Sequence, residues 1–197
     1  FAKAPEKGFR FLATWEAGFR NLTTKDPAPS PDAVKGKKLR SFPNEMMRWT
    51  LEAMGFTVQI MPLPEVYLAI QQGAVAGQEN PIDTIFSNKF YEVAPHLNLT
   101  QHAVSIRPIC FSVKTLKNLP KELQDAIMKA GKEAGDYGRQ LESSEEVVKL
   151  DTLEKAGKLK RVPFEERDAM KKLADPVMAT YAKEIGAEGI FEKINIA

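Results

Sequence analysis

The stretch that decides the fold is residues 37–81, KKLRSFPNEMMRWTLEAMGFTVQIMPLPEVYLAIQQGAVAGQENP. Strand-like and helical segments alternate along it: Lys37–Phe42, Glu45–Met54, Phe56–Met61, Glu65–Gln72 and Ala74–Gly77, with another helix opening at Pro81. This β-α-β-α-β-α order predicts a parallel sheet joined by right-handed crossovers. The expected fold class is therefore α/β.

The sequence before this stretch predicts a strand at Phe9–Trp15, ending near Gly18, and a short helix that starts at Ser30 and closes at Gly36. The opening residues 1–10 carry four charged side chains and no apolar core, unlike a signal peptide. Because the chain starts without methionine, we expect either that a leader has been removed or that the chain is part of a longer protein.

The sequence after this stretch predicts an extended segment at Ala103–Val113 and a strong helix that begins after Pro120. Apolar residues recur in that helix from Leu123 to Leu141 at spacings of three and four, which predicts a buried face. Glycines one position away allow another element to approach closely: Gly131, Gly135 and Gly138. Two helices with a short strand between them complete the prediction: Val147–Gly157, Leu159–Val162 and Glu165–Ile185.

Composition excludes several classes of protein. With 197 residues, 43% hydrophobic and 27% charged, the chain is long and apolar enough to bury a core. It has no uncharged apolar run long enough to span a membrane. A net charge of +2 is too small for a nucleic-acid partner, and one cysteine excludes a disulfide framework within the chain.

Catalytic and metal-binding groups are poorly supported. His96 and His102 lack metal-helix spacing and are interpreted as ordinary polar or capping residues. Cys110 lies in an apolar run and is expected to be buried. Glu79 and Asp83 lie one helical turn apart, where solvated surface carboxylates are the default interpretation. We therefore expect no enzyme activity, no metal and no cofactor.

Three polar residues are candidates for binding an anion. Arg40 lies near the carboxyl end of a predicted strand, where ligands of open α/β sheets bind. Arg20 follows the first predicted strand, and Asn80 precedes Pro81 at a helix start. A guanidinium matches the geometry of a carboxylate. The alternatives are surface ion pairs for the two arginines and a helix cap for Asn80.

Several motifs carry a resemblance to a known family. The segments Glu65–Gly73 and Val75–Pro81 resemble the signature of TRAP-transporter substrate-binding proteins of the DctP type. Similar segments occur in the same order at Gly36–Arg40, Lys89–Val93 and Leu97–His102, so the resemblance runs from about Gly18 to the C-terminus.

The resemblance implies a periplasmic-binding-protein-like fold whose two lobes close over an organic acid. It implies a periplasmic receptor that delivers a sugar acid, dicarboxylate or keto acid to the membrane subunits of a TRAP transporter. In this family pattern Arg40 pairs bidentately with the ligand carboxylate, Arg20 assists and Asn80 donates a hydrogen bond. Leu63, Phe42 and Asn44 are candidate pocket walls, at positions where the sequence departs from the family pattern.

The resemblance also implies that most of a first lobe is missing. Residues 1–104 are expected to form mainly the second lobe, 105–145 a crossover strand and long helix of the first lobe or hinge, and 146–197 helices returning to the lobes. Arg40, Arg20 and Asn80 would then face solvent, and a missing N-terminal segment or a partner chain would complete the protein. The alternative is a non-catalytic interaction module, which requires an exposed apolar stripe on the helix at Lys121–Leu141.

Overall fold

The computed structural model describes residues 4–194, apart from the side chains of Ser143 and Ile194; the start of the chain at Phe1 lies outside this range. Six strands run in chain order: β1 Phe9–Thr24, β2 Lys38–Ser41, β3 Thr57–Ile60, β4 Gly77–Asn80, β5 His96–Ser112 and β6 Lys160–Val162. The helices are α1 Pro31–Val34, α2 Glu45–Ala53, α3 Val66–Gln71, α4 Ile82–Ser87, α5 Val113–Lys117, α6 Lys121–Lys155, α7 Arg167–Glu184 and α8 Glu188–Ile194. Among the described residues, none of these helices is long and apolar enough to cross a membrane.

The six strands form one sheet in the order β3-β2-β4-β1-β5-β6. Strand β2 runs parallel to β3 and β4, as the alternation within residues 37–81 predicts. Strand β1 is antiparallel to both of its neighbours, β4 and β5. Strand β6 also runs parallel to β5, so the sheet is mixed, and β2 and β3 lie where local sequence patterns predicted them.

The two long strands were only partly predicted. Strand β1 does not end near Gly18 but continues to Thr24, and its pairing with β5 contains register shifts, one of them between Glu16 and Phe19. Gly18 has φ +78° within this irregularity, which an L side chain rarely adopts. The glycine is a bulge inside the strand and not its end.

Hydrophobic clusters cover both faces of the sheet. One is centred on Leu39 of β2 and Leu51 of α2, and helix α7 adds Met170. The other joins Leu97 of β5 to α3, α4 and the C-terminal part of α6. Asn44 caps α2 by accepting a hydrogen bond from the Met47 N–H, so the start of this helix follows the sequence prediction.

Helix α6 is one continuous helix of 35 residues, not the two helices predicted from the sequence. Its glycine face packs on β1, where a β-carbon at Gly135 would lie 2.7 Å from that of Ala13. The apolar stripe predicted to be buried is exposed instead, with Leu123 50% and Tyr137 64% exposed. The strong periodicity identified the helix correctly but not the face that it buries.

Candidate functional site

Adjacent strands of the sheet bring the candidate residues together. Arg40 on β2 lies opposite Gln78 on β4, and Asn80 on β4 lies opposite Asn21 on β1. Arg20 precedes Asn21, so its side chain reaches β4 from the neighbouring strand. Three segments that are distant in sequence therefore converge at the centre of the sheet.

Arg20 is held by a dense set of hydrogen bonds. Its Nε and Nη2 donate to the carboxylate of Glu79, with 2.9 Å between Nη2 and Oε1. Nη2 also donates to the Glu79 backbone carbonyl at 3.0 Å and to Asn80 Oδ1 at 3.1 Å, while Nη1 donates to Ser105 Oγ at 3.0 Å. The ring of Phe42 covers the guanidinium, with its centroid 5.0 Å from Cζ. The charge of Arg20 is thus neutralised within the chain.

Glu79 is fully buried and is bound from two sides. Besides Arg20, His102 lies with Nε2 3.3 Å from Glu79 Oε2, and Thr100 Oγ1 lies 2.9 Å from the other ring nitrogen. Burial alone raises the pKa of Glu79, but the hydrogen bonds from His102 and Arg20 outweigh it and lower that pKa below the ordinary value. Glu79 therefore remains ionised and supplies the counter-charge of Arg20.

Arg40 has a different environment. Its Nε and Nη2 donate to the backbone carbonyl of Met61, at 3.1 and 2.9 Å. It is only 3% exposed, yet no described carboxylate forms an ion pair with it. Burial is the main cause that lowers its pKa; Glu79 opposes this shift and Arg20 adds to it. Arg40 is a buried cation that lacks a neutralising partner among the described residues.

One edge of the Arg40 guanidinium is free to bind a ligand. Nη1 makes no hydrogen bond with a described residue. Among residues 4–194, however, Ser41 Oγ is the only fully buried side-chain polar atom without a partner. Nη1 therefore retains contact with solvent. Together with the second hydrogen of Nη2, it presents the planar donor pair that binds a carboxylate at two points.

The other predicted residues have mixed positions. Asn80 does not cap α4: its Oδ1 accepts from Arg20 and its Nδ2 donates to Gln78 Oε1. Phe42 is half-buried over Arg20, and Leu63 packs against the cluster that contains Leu97. The side-chain oxygen of Asn44 is used as the cap of α2. Their contribution to a pocket wall remains a prediction.

Four expectations for single residues were wrong. Arg40, Arg20 and Asn80 are buried instead of solvent-facing: they are 3%, 9% and 6% exposed, because β1, β2 and β4 are central strands with neighbours on both sides, although the Nη1 edge of Arg40 reaches solvent. Cys110 is exposed and not buried, because it lies on the uncovered face of β5.

Sequence reasoning also missed the role of Glu79. Strand β4 was predicted to end at Gly77, which left Glu79 in a loop where carboxylates are solvated. The strand runs instead from Gly77 to Asn80, so Glu79 lies within the sheet. The available signal was the run of three polar residues, Gln78, Glu79 and Asn80, which ends directly before a proline.

A cavity of about 610 Å³ lies beyond His102, between α2, β5 and α7. Its lining includes Thr100, Gln101 and His102 but none of Arg40, Arg20 and Asn80.

The other histidine, His96, forms a hydrogen bond with the backbone carbonyl oxygen of Lys25, which lies 2.7 Å from Nδ1. Since a carbonyl only accepts, His96 is the donor, an ordinary polar role.

Comparison with known proteins gives the class of this molecule. Residues 1–184 match the model of bacterial extracellular solute-binding protein family 7, and the chain belongs to this family. A solute-binding protein of Sulfitobacter sp. strain NAS-14.1 is 44% identical over 177 residues, which are 90% of this chain and 54% of that protein.

Solved structures agree with this assignment. A TRAP periplasmic solute-binding protein of Sulfitobacter sp. with bound α-D-taluronate is 40% identical, with a TM-score of 0.93 over 98% of this chain and 63% of its own. A second one, with bound β-D-galacturonate, is 30% identical, with a TM-score of 0.86 over 91% of this chain and 60% of its own. The α/β fold class is thus confirmed as that of TRAP periplasmic solute-binding proteins. The chain spans less than two thirds of the length of these relatives.

Proposed function

We propose that this chain forms one wall of the ligand site of an extracytoplasmic receptor for an organic acid, and that Arg40 binds the ligand carboxylate. The observation that supports this most strongly is the isolated charge of Arg40. Buried cations in proteins are almost always paired, because an unpaired charge removed from water is costly. A carboxylate bound at the free Nη1 edge supplies that pair, whereas Arg20 is already neutralised by Glu79.

Charge also favours one ligand class. Arg20, Arg40 and Glu79 together carry one net positive charge, which a single carboxylate neutralises. A dicarboxylate brings a second charge that these residues do not match. Two of the solved relatives are bound to uronates, which are sugar acids with one carboxylate. We therefore propose a hexuronate as the ligand, in preference to a dicarboxylate or a keto acid.

The proposed role follows from the family. The receptor captures its acid in the periplasm and delivers it to the membrane subunits of a TRAP transporter, without catalysis and without a cofactor. Arg20 and Asn80 assist ligand binding, mainly because the hydrogen bond between them holds both residues and Glu79 beside the ligand carboxylate. We propose that the second wall of the cleft comes from polypeptide outside these 197 residues; the lobe assignments of residues 1–104, 105–145 and 146–197 stay predictions from the sequence.

The alternative of a protein-interaction module is favoured by one observation. The stripe on α6 is exposed, as that alternative requires, with Leu123 and Tyr137 at least half exposed. A receptor that docks with further polypeptide also needs exposed apolar surface. This observation therefore adds an interaction role to the receptor and does not replace the receptor function.

The test is a titration of the ¹⁵N-labelled chain with D-galacturonate, followed by the NMR signals of the arginine side chains. D-Galactose is the control ligand, because it keeps the sugar ring and lacks the carboxylate. Arg40→Lys removes the two-point donor pair but keeps the charge. Arg48→Lys is the matched control, since Arg48 is a surface arginine paired with Glu45 and Glu52.

We expect D-galacturonate to shift the Arg40 side-chain signal and D-galactose to leave it in place. Arg40→Lys is expected to weaken galacturonate binding at least tenfold, and Arg48→Lys to leave it unchanged. Equal responses to the two sugars, or equal affinities of the two variants, contradict the proposed role of Arg40. Stronger binding of succinate than of galacturonate contradicts the ligand class alone.

A further inference from the structure

The cavity of about 610 Å³ between α2, β5 and α7 is separate from the proposed acid site. None of Arg40, Arg20 and Asn80 lines it. Its volume lies within the range of about 300–1,000 Å³ that is typical of sites for small molecules. The Arg40 site therefore does not account for this cavity.

A distortion of β5 directs three consecutive residues to the cavity. In the pairing of β1 with β5, four residues of β5, 99–102, lie opposite the single residue Asn21 of β1. In a regular strand successive side chains point to opposite faces, so at most every second residue lines one cavity. Here three residues in a row line it: Thr100, Gln101 and His102. The bulge therefore brings a group of polar side chains to this wall of the cavity.

The bulge is strained at Gln101. Its φ is +45°, a value that a residue with a side chain rarely adopts. A buried side chain holds this conformation, because the Gln101 N–H donates to Asn21 Oδ1 at 3.1 Å and Asn21 is 2% exposed. Backbone strain persists only where the surroundings enforce it, and it concentrates at functional sites. The strained residue thus lies on the cavity wall, where a ligand can use its side chain.

The lining defines the chemistry of a ligand. The side-chain amide of Gln101 makes no hydrogen bond with any residue that the structure describes. Its NH₂ donor and its C=O acceptor are therefore both available, and a carboxamide on a ligand satisfies both at once. The apolar part of the lining consists of one phenyl ring and three thioethers, which make favourable contacts with aromatic rings: Phe164, Met54, Met170 and Met178.

The charged side chains of the lining disfavour an organic acid. Apart from His102, three acidic and two basic side chains line the cavity: Glu165, Asp168, Asp175, Arg167 and Lys171. Lys171 pairs with Asp175, with 3.0 Å between Nζ and Oδ2, which leaves one cation for two carboxylates. A carboxylate ligand would add a further negative charge, whereas a neutral amide adds none.

We propose that this cavity is a second ligand site, which binds a small neutral aromatic carboxamide. The amide group of the ligand pairs with the side chain of Gln101, and its ring packs against Phe164 and the methionines of the lining. The proposal does not depend on the function of Arg40, because the cavity contains none of Arg40, Arg20 and Asn80.

Benzamide is the probe, and the methyl signals of methionine show where it binds. The chain has seven methionines, of which Met54, Met170 and Met178 line the cavity. Met61 reports on the acid site instead, since its carbonyl accepts from Arg40. The chain is labelled with ¹³C-methyl methionine, each signal is assigned by substitution to leucine, and benzamide is titrated.

Control ligands and variants isolate the amide pairing. Methyl benzoate keeps the ring but lacks the N–H donor, and benzoate replaces the amide by a charge. Gln101→Glu keeps the shape of the side chain but removes its N–H donors and adds a negative charge. Gln140→Glu is the matched control, because Gln140 is an exposed glutamine of α6 that does not line the cavity.

We expect benzamide to shift the signals of Met54, Met170 and Met178 and to leave that of Met61 in place. Methyl benzoate and benzoate are expected to bind at least tenfold more weakly. Gln101→Glu is expected to weaken benzamide binding at least tenfold, and Gln140→Glu to leave it unchanged. The titration of the wild-type chain locates the site whether or not Gln101→Glu folds.

Several results would overturn the proposal. They are the absence of a saturable shift of the three cavity signals, a shift confined to Met61, equal affinities of benzamide and methyl benzoate, and equal affinities of the two folded variants. D-Galacturonate is expected to leave the three cavity signals in place; a shift of those signals would assign the cavity to the acid site. Failure of galacturonate binding leaves the benzamide result intact, and failure of benzamide binding leaves the titration at Arg40 intact.

Discussion

Arg20 and Glu79 lie 59 positions apart in sequence and form a buried ion pair whose carboxylate also contacts His102. The pair joins β1 to β4, the two neighbouring strands at the centre of the sheet, between the parallel strands β2 and β3 and the long strand β5. Arg20 therefore does two things at once: it neutralises Glu79 and, through Asn80 Oδ1, fixes the orientation of the Asn80 amide.

Replacing Glu79 by glutamine is expected to destabilise the chain strongly. The substitution keeps the shape of the side chain but leaves the buried Arg20 cation without its counter-charge. Breaking a buried pair in this way costs about 3–5 kcal/mol. Urea denaturation followed by circular dichroism measures the loss.

The control for that substitution is Glu52→Gln. Glu52 pairs with Arg48 on the surface of α2, where an ion pair contributes about 0–1 kcal/mol. Similar losses of unfolding free energy for the two variants would show that the Arg20–Glu79 pair has no special role in stability.

The same pair predicts the pH dependence of stability. The pKa of Glu79 is lowered in the folded chain relative to its ordinary value of 4.5, so the unfolded chain binds a proton more readily. The stabilising contribution is fully present above the unfolded value and is lost as pH falls through the lower, folded value. We expect the difference in unfolding free energy between wild type and Glu79→Gln to be constant from pH 7 to 5 and to shrink below that range. A difference that grows on acidification would contradict this assignment.

The sequence predicted β2 and β3 correctly because local signals bound each of them, whereas it placed β4 three residues too early, at Ala74–Gly77. Pro43 and Asn44 follow β2, and Gly55 precedes β3. The long strands were predicted only in part, because Gly18 resembles a strand end and because pairing between distant segments, which no local pattern contains, holds β1 to Thr24 and β5 from His96 in the sheet. For α6, the sequence predicted one helix up to Leu141 and a second from Val147, but the helix is continuous between them.

The candidate site was predicted in part. The predicted strand ends pointed to Arg40 and Arg20, a predicted helix start pointed to Asn80, and the resemblance gave each of them a role. The burial of all three depends on which strands become neighbours in the sheet, and no local pattern contains that information. Glu79 was missed for the same reason, since a carboxylate is buried only when a distant cation such as Arg20 meets it.

Ser41 follows Arg40 on β2, and its buried hydroxyl predicts a substitution that increases stability. Its side chain is fully buried and its hydroxyl has no partner among the described residues. An unsatisfied buried hydroxyl costs about 1–3 kcal/mol. Ser41→Ala is therefore expected to raise the free energy of unfolding by about 1 kcal/mol, after the small loss of packing. Urea denaturation measures it, and a destabilised variant would show that the hydroxyl does have a partner.

Substitution by alanine is expected to change the stability of the chain in opposite directions at Gly135 and at Gly189. A β-carbon at Gly135 would lie 2.7 Å from the β-carbon of Ala13, which belongs to a strand and has no flexible side chain to move aside. Gly135→Ala must therefore separate α6 from β1. We expect the substitution to destabilise the chain by about 1–3 kcal/mol despite the better helix propensity of alanine.

Gly189 supplies the control, because it also lies in a helix but has nothing within 4 Å of the added β-carbon. Gly189→Ala is expected to be neutral or to stabilise the chain by up to about 1 kcal/mol, since only backbone entropy and helix propensity change. Urea denaturation of the two variants side by side gives the sign of each effect. If Gly135→Ala also stabilised the chain, α6 would not rest on β1 through its glycine face.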